Sequence, residues 1–398
     1  MPEAGNKPSV LDQLAESYLG QRRSSDLLRV RHALRILDAT HVELDGKRLV
    51  NFASNDYLGL THHPKMIHAV QRSAQQFGTG SGASALISGY SLEHRAAEAA
   101  IAQWKGAEAA VLLPSGYQAA HAVVQTLRAI SREGGIRFLI DKLSHASLID
   151  AVAGSSCAFR VFPHNGLSKL QRLLAEASKD QLQVVMTESI FSMDGDAADL
   201  GGLARLKQDH DFVLVLDEAH ASGVYGPAGA GYAAGCGVQS IVAISIVTLS
   251  KALGLCGGAV CGSRAFCDAL ANCGRAYIYS TSVAPMTAGG VLTALQIFRD
   301  EPDRQTRLRQ LAQRLRTSLS NRGLKIASGD SPIIPLILGP ERRAIAAAQQ
   351  LQDRGFFVVA IRPPTVSRNS SRLRLTVCCE HTDEELDQLI DAICAATG

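Results

Sequence analysis

The sequence predicts an α/β fold: a large domain with a mostly parallel, helix-flanked sheet, followed by a smaller α+β domain. Three observations lead there. From Ser91 onward, short apolar runs alternate with helical stretches, the pattern of a parallel sheet covered on both faces. Polar residues suited to chemistry fall just past the carboxyl ends of those runs, the edge at which open parallel sheets bind ligands. After Gly262 the texture changes, and helices mix with strands in a different rhythm. The expected divisions are an N-terminal helical segment (1–45), a large domain (46–285) and a small C-terminal domain (286–398).

Composition bounds the function. Of 398 residues, 46% are apolar and 19% charged, which suits a protein with a large core. The net charge of +3 implies no strongly acidic or basic partner, and no basic stripe points to nucleic acid. Nine cysteines, an odd number without a CxxC pair, support neither a disulfide framework nor a zinc site and favour a reducing, cytoplasmic compartment. The N-terminus MPEAGNKPSV lacks a signal pattern. No apolar run reaches the roughly 18 residues of a membrane span.

The elements follow in order. Residues 9–39 read as one or two arginine-rich amphipathic helices, with Arg29 and Arg31 in the second. A strand from Arg48 to Phe52 leads into the polar turn Ser54-Asn55-Asp56-Tyr57. Pro64 opens a helix that closes near Phe77-Gly78. The loop Gly78-Thr-Gly-Ser-Gly allows close backbone approach, yet a helix precedes it, so it is a weak phosphate fingerprint. Strands are expected at 109–113, 137–140, 159–162, 183–187 and 212–216, with helices between them. Pro285 opens a long helix, a strand is expected at 357–361, and Thr382 with Glu385 fits a capping box.

One stretch organises the rest: SIVAISIVTLSKALGLCGGAVCGS, residues 240–263. It sets Lys251 between two apolar runs, where an ammonium is costly to bury. A lysine at a loop tip that snorkels to water is the bland account. A lysine that holds an aldehyde cofactor covalently is the chemical one. Ser115-Gly116-Tyr117, His145, Ser192, Asp217 and His220 fall at the same predicted edge. Each has an ordinary explanation alone, as helix cap, loop histidine or turn former; their convergence is what argues for a site.

Pyridoxal phosphate has needs that this set meets. Its ring nitrogen requires a fixed carboxylate, and Asp217 supplies one. Its phenolic oxygen requires a donor, and His220 follows one helical turn later. His145 is placed to stack on the ring. The phosphate requires backbone N–H groups at a helix start, offered by Gly116 and Tyr117, with the Thr248 hydroxyl beside them.

DEAH at 217–220 with TLSK at 248–251 resembles the α-oxoamine synthases, pyridoxal-phosphate enzymes of the aspartate-aminotransferase fold. The likeness extends over SNDYLGL (54–60), SGYQA (115–119), LSHAS (143–147), ESIFSMDGD (188–196) and IYSTS (278–282). AIRPPTV (360–366) followed by RLRLT (372–376) is similar to the biotin-pathway branch of that family. The resemblance implies L-alanine and a pimeloyl thioester, on coenzyme A or acyl-carrier protein, as substrates. It also implies a homodimer in which the Tyr279–Ser282 segment helps across the interface. It gives Lys251, His145, Asp217 and His220 catalytic roles and places Ser192 near the ring. Arg362 becomes a carboxylate clamp, and Arg29, Asn55 and Thr365 line the acyl side. The chain departs from the family in the loop 81–86 and in Ser367-Arg-Asn-Ser-Ser.

Three rivals are weighed. DEAH also spells a box of nucleotide-driven motors, but GxxxxGK[ST] is missing. A non-catalytic scaffold would have shed the lysine or the aspartate. A relative using glycine or serine with another acyl-CoA differs only in substrate.

Overall fold

The computed structural model describes residues 9–131, 135–178, 180–327 and 329–397. Seven strands form the large sheet: β1 (Ala109–Leu113), β2 (Ile136–Asp141), β3 (Ala158–Phe162), β4 (Leu182–Glu188), β5 (Val213–Asp217), β6 (Ile244–Thr248) and β7 (Gly258–Gly262). They lie in the order β1-β7-β6-β5-β4-β2-β3. Every neighbouring pair is parallel except those made by β7, which runs against both β1 and β6. A strand covered on both faces needs side chains that tolerate burial both ways. Accordingly β1 (AAVLL), β6 (ISIVT) and β7 (GAVCG) are buried at every position.

Alternate residues of one strand serve opposite layers. Val111 and Leu113 pack with helices Gly116–Ile130, Ala146–Ala153 and Arg264–Cys273, whereas Ala110 and Leu112 join Leu92–Lys105 and Pro285–Asp300. A third cluster seats helices Leu167–Ala175 and Leu200–Asp209 against Leu139, Val185 and Leu214. The smaller C-terminal part carries an antiparallel sheet of Ile333–Gly339, Ser371–Thr376 and Val359–Ile361. Its Leu308, Leu373 and Leu386 belong to the same apolar cluster as Phe52, Leu58 and Ala97, so one core runs through both parts. The last helix opens as expected: Glu385 N–H donates to Thr382 Oγ1 (3.1 Å) and Thr382 N–H to Glu385 Oε2 (2.8 Å).

The N-terminal expectation is corrected. One helix forms, Val10–Ser24, and it ends there. Asp26 adopts φ +56° and turns the chain, so Arg29 and Arg31 lie in irregular backbone rather than in a second helix. Arg35–Ile36 and His41–Leu44 are strands instead. The strand expected at 357–361 is also divided. Phe356–Phe357 pairs in parallel with Lys47–Asn51, while Val359–Ile361 pairs with Ser371–Thr376. Two sheets compete for one extended segment, which a local pattern cannot reveal.

Candidate active site

Strands β4, β5 and β6 end side by side, and their register sets Glu188 beside Asp217. Beyond β6 the chain closes a tight loop: Leu249 N–H donates to Gly257 O (2.9 Å) and Gly254 N–H to Lys251 O (2.8 Å). This loop presents Lys251, whose Nζ lies 2.8 Å from His220 Nε2. Nδ1 of the same ring meets the Tyr57 hydroxyl at 2.5 Å, and Tyr57 donates to Asn55 Oδ1 (3.2 Å). Arg374 donates to that same Oδ1 through both terminal nitrogens (3.1 and 3.2 Å). One assignment satisfies every member: Lys251 donates to Nε2, Nδ1–H to Tyr57, and Tyr57 to Asn55. It requires a neutral His220, and burial does push this histidine well below its ordinary value. His220 lies in a turn after Asp217 rather than in a helix.

Electrostatics favour a reactive amine. Loss of solvation pushes the Lys251 amine down to about 8, against the opposing pull of Asp217 and Glu188. Asp217 is raised by burial, although Lys251 and the Ala219 N–H (2.9 Å) favour its ionised form. Burial and then the neighbouring Asp217 push Glu188 well above the usual carboxylate range. Two carboxyl groups in one dry corner do not both ionise readily. Glu188 Oε2 receives the Ser192 N–H at 3.3 Å, and Oε1 has no partner among the described residues.

The helix Gly116–Ile130 starts directly after β1, capped by Ser115 Oγ, which accepts from Gln118 N–H (3.1 Å). Its first turn faces Thr248: a Cβ on Gly116 would lie 3.2 Å from Thr248 Oγ1. Gly258, paired with both Leu113 and Thr248, has no room for a side chain, since a Cβ there would fall 2.7 Å from Gly116 N. Free N–H groups at a helix start beside a hydroxyl make an anion cradle. Tyr117 is half-exposed and donates to Asp150 Oδ2 (2.9 Å). Gln118 Nε2 donates to Ser280 Oγ (2.9 Å), which brings the Tyr279–Ser282 segment to this helix start. His145 caps the helix Ala146–Ala153, with Nδ1 2.8 Å from Ser147 Oγ, and burial lowers its basicity. Ser192 is buried and accepts at its carbonyl from Arg374 Nε (2.7 Å).

Arg29, Arg362 and Thr365 stand apart from this cluster. They line a cleft of about 570 Å³ with Leu28, Val358 and Ile361. Arg29 donates to Thr365 Oγ1 at 3.0 Å, whereas Arg31 is exposed and does not line the cleft. The Arg362 guanidinium donates to the backbone carbonyls of Asp26 (2.5 Å) and Leu28 (3.0 Å). Asn55, grouped with Arg29 and Thr365 by the resemblance, sits instead with Tyr57 and Arg374. Sequence reasoning passed over Tyr57, Glu188 and Arg374. Glu188 carried a signal, a carboxylate at a strand end; Arg374, in an alternating strand, carried none. Glu218, the second residue of DEAH, is buried against Lys105 and accepts from Ala233 N–H (3.0 Å), so it is committed to structure.

A strand-end lysine and aspartate beside a glycine-walled helix start, on a sheet of this order, define a pyridoxal-phosphate-dependent enzyme of fold type I. The chain belongs to the aminotransferase class I and II family, whose model matches residues 47–393. It is 38% identical, over 97% of its own length and 96% of the relative's, to 8-amino-7-oxononanoate synthase of Cellvibrio japonicus. It is 42% identical, over 89% of its length and 88% of the relative's, to the protein of that name from Anaeromyxobacter dehalogenans. Among solved structures it superposes on S. paucimobilis serine palmitoyltransferase with a bound PLP–myriocin aldimine, with TM-score 0.90, 25% identity and 98% of each chain covered. The family's cofactor is pyridoxal 5′-phosphate, and the residues present fit it: an amine, a buried carboxyl, an unpartnered Glu188 oxygen and a cradle that a Cβ at Gly258 would fill.

Proposed function

We propose that this acyltransferase condenses L-alanine with a pimeloyl thioester, on coenzyme A or acyl-carrier protein. The products are 8-amino-7-oxononanoate, carbon dioxide and the free thiol, a step of biotin biosynthesis. The observation that carries the reading is the Lys251 amine, 2.8 Å from His220 and flanked by Asp217, in a chain whose relatives bear that synthase's name over nearly its whole length.

Lys251 would hold the cofactor through its amine. Asp217 would pair with the ring nitrogen, His220 with the phenolic oxygen and His145 with the ring face. Gly116, Tyr117 and Thr248 would hold the phosphate, and Ser192 would lie alongside. When bound, the cofactor supplies an electron sink for negative charge at the substrate α-carbon. The side chains do the rest. With its amine pushed down to about 8, Lys251 is a competent base near neutrality and takes the α-proton of alanine. After carbon–carbon bond formation, thiol departure and loss of the alanine carboxyl as carbon dioxide, it returns a proton to that carbon. Arg362 would clamp the carboxylate of the amino acid on exchanging the Asp26 and Leu28 carbonyls to which it donates. Arg29 and Thr365 guide the acyl chain along the cleft, and Asn55 orients Tyr57 and His220 behind the amine. The reaction gains from orientation and from excluded water.

A second reading keeps the chemistry and changes the substrates: glycine or serine with another acyl-CoA. It is favoured by the superposition on serine palmitoyltransferase, but at 25% identity, below the 38% of the first relative. Purified protein assayed with alanine, glycine and serine against a panel of thioesters decides between them. Product from alanine and a pimeloyl thioester alone supports the first reading; turnover of serine with a long-chain thioester replaces it.

We also read the protein as a cytoplasmic homodimer. Val10, Leu11, Leu14 and Tyr18 share an exposed face of the first helix, and Ile87, Leu92 and Tyr279 are exposed as well. Such surface favours a second copy. Sedimentation at a single-chain mass at micromolar concentration would end this reading.

A further inference from the structure

His164 follows β3 by two residues and is held at both ring nitrogens. Nδ1 lies 3.1 Å from Asp141 Oδ1 and Nε2 lies 2.6 Å from Asp196 Oδ2. Ionised carboxylates only accept, so both nitrogens donate, which the imidazolium alone can do. Each carboxylate shapes a segment of the site. Asp141 ends β2, is 1% exposed, and receives the Leu143 N–H (2.9 Å) in the turn that presents His145. Asp196 closes the loop that carries Ser192, its carbonyl accepting from Phe191 N–H (2.9 Å). Asn165 repeats the connection: its N–H donates to Asp141 Oδ2 (2.9 Å) and its Nδ2 to Ala197 O (3.0 Å). The Phe191 ring meets His164 edge-on, with centroids 4.3 Å apart.

We propose that His164 is a positioning residue: a doubly bonded cation that ties the turn presenting His145 to the loop presenting Ser192, and so fixes the spacing of two walls of the site. The proposal rests on the cofactor-site reading above. The two carboxylates hold the ring charged, raising it to about 10, so the tie persists across the neutral range. They are also the charged groups facing it: Asp141 from the end of β2 and Asp196 from the loop after β4. Asn165 bridges the same two segments through the Asp141 carboxylate and the Ala197 carbonyl, but without charge.

The test uses the holoenzyme of His164→Gln, which keeps size and one donor but loses the charge and the second bond. It should still bind the cofactor, with Kd within about threefold, because the phosphate cradle lies elsewhere. Its kcat should fall about 10²-fold with the alanine KM little changed, the cost of a small misplacement. The pH midpoint of the visible cofactor band should move by about half a unit or more, through the displaced His145. In the double variant His164→Gln/Asp196→Asn, two amides can pair, and part of kcat should return. A lowered melting temperature with unchanged kcat and band would reduce His164 to a structural residue and overturn the proposal. If His164→Gln does not fold, His164→Arg keeps a cation at a different length, and a wild-type band and kcat there would also overturn it. The band test requires only bound cofactor, so it stands even if the wild-type protein proves inactive with alanine and pimeloyl thioesters.

Discussion

Lys251 Nζ lies 2.8 Å from Nε2 of His220, a ring whose other nitrogen is taken by a fully buried tyrosine hydroxyl. The nucleophilic amine therefore ends a hydrogen-bonded line that runs through Tyr57 and Asn55 to Arg374. Such a line fixes tautomer and direction together, and the expected behaviour of several variants follows from it.

Lys251→Ala should lack the visible absorbance band of bound cofactor and lose activity entirely. In the cofactor-free protein the amine also shapes the pH dependence of stability. Its folded value of about 8 lies below the ordinary 10.5, so between those values the unfolded chain binds more protons. Stability from this group therefore rises with pH across that window. Denaturant titrations of wild type and variant at several pH values should show the rise only in the wild type; full activity in the variant would end the proposed function.

Glu188→Gln probes the second carboxyl. Burial beside Asp217 pushes Glu188 well above the value near 4.5 at which it ionises in the unfolded chain. The folded state then holds the extra proton, so this contribution to stability is lost as pH rises above that point. The glutamine variant of the cofactor-free protein should be at least as stable as wild type at about pH 7, with the gap closing towards about pH 4. A variant less stable at neutral pH by about 1 kcal/mol or more would mean that Glu188 is ionised in place.

Tyr57→Phe removes a hydroxyl that bridges His220 and Asn55. Leaving buried partners unmatched costs about 1–3 kcal/mol. The melting temperature should fall, and His220, released at Nδ1, should lower kcat about tenfold or more through loss of orientation. Wild-type kcat would show that the line behind His220 has no part in placing it.

Gly258→Ala tests the cradle. A methyl group there would lie 2.7 Å from Gly116 N and push the start of the helix away from Thr248. The dissociation constant for pyridoxal phosphate should rise about tenfold or more, equivalent to about 1.4 kcal/mol. An unchanged constant would locate the phosphate elsewhere.

Much of the large sheet was legible because its signals are local. Most strands are short, largely apolar runs, and most of the longer helices start at a cap or a proline, Leu167–Ala175 after Gly166 being an exception. Lys251, Asp217, His220 and Gly116 could be placed at one edge because parallel connections return every strand but β7 to the same end. Arg374 lay beyond reach: it shares an alternating strand with Arg372, which pairs instead with Asp194 at 2.6 Å, and nothing nearby separates their partners. His164 was invisible for the same reason, since its two carboxylates stand 23 and 32 positions away.

Taken alone, the order of residues determined the class of fold, the strand ends and the chemical kinds assembled there, since all three rest on periodicity and on neighbours within a few positions. Only the tertiary structure decided which polar groups share a hydrogen bond. It set Asn55 behind His220 rather than in the arginine-lined cleft, ended the first helix at Ser24, and divided 356–361 between two sheets. Those outcomes depend on contacts between distant segments, where burial and competition for partners outweigh any local preference.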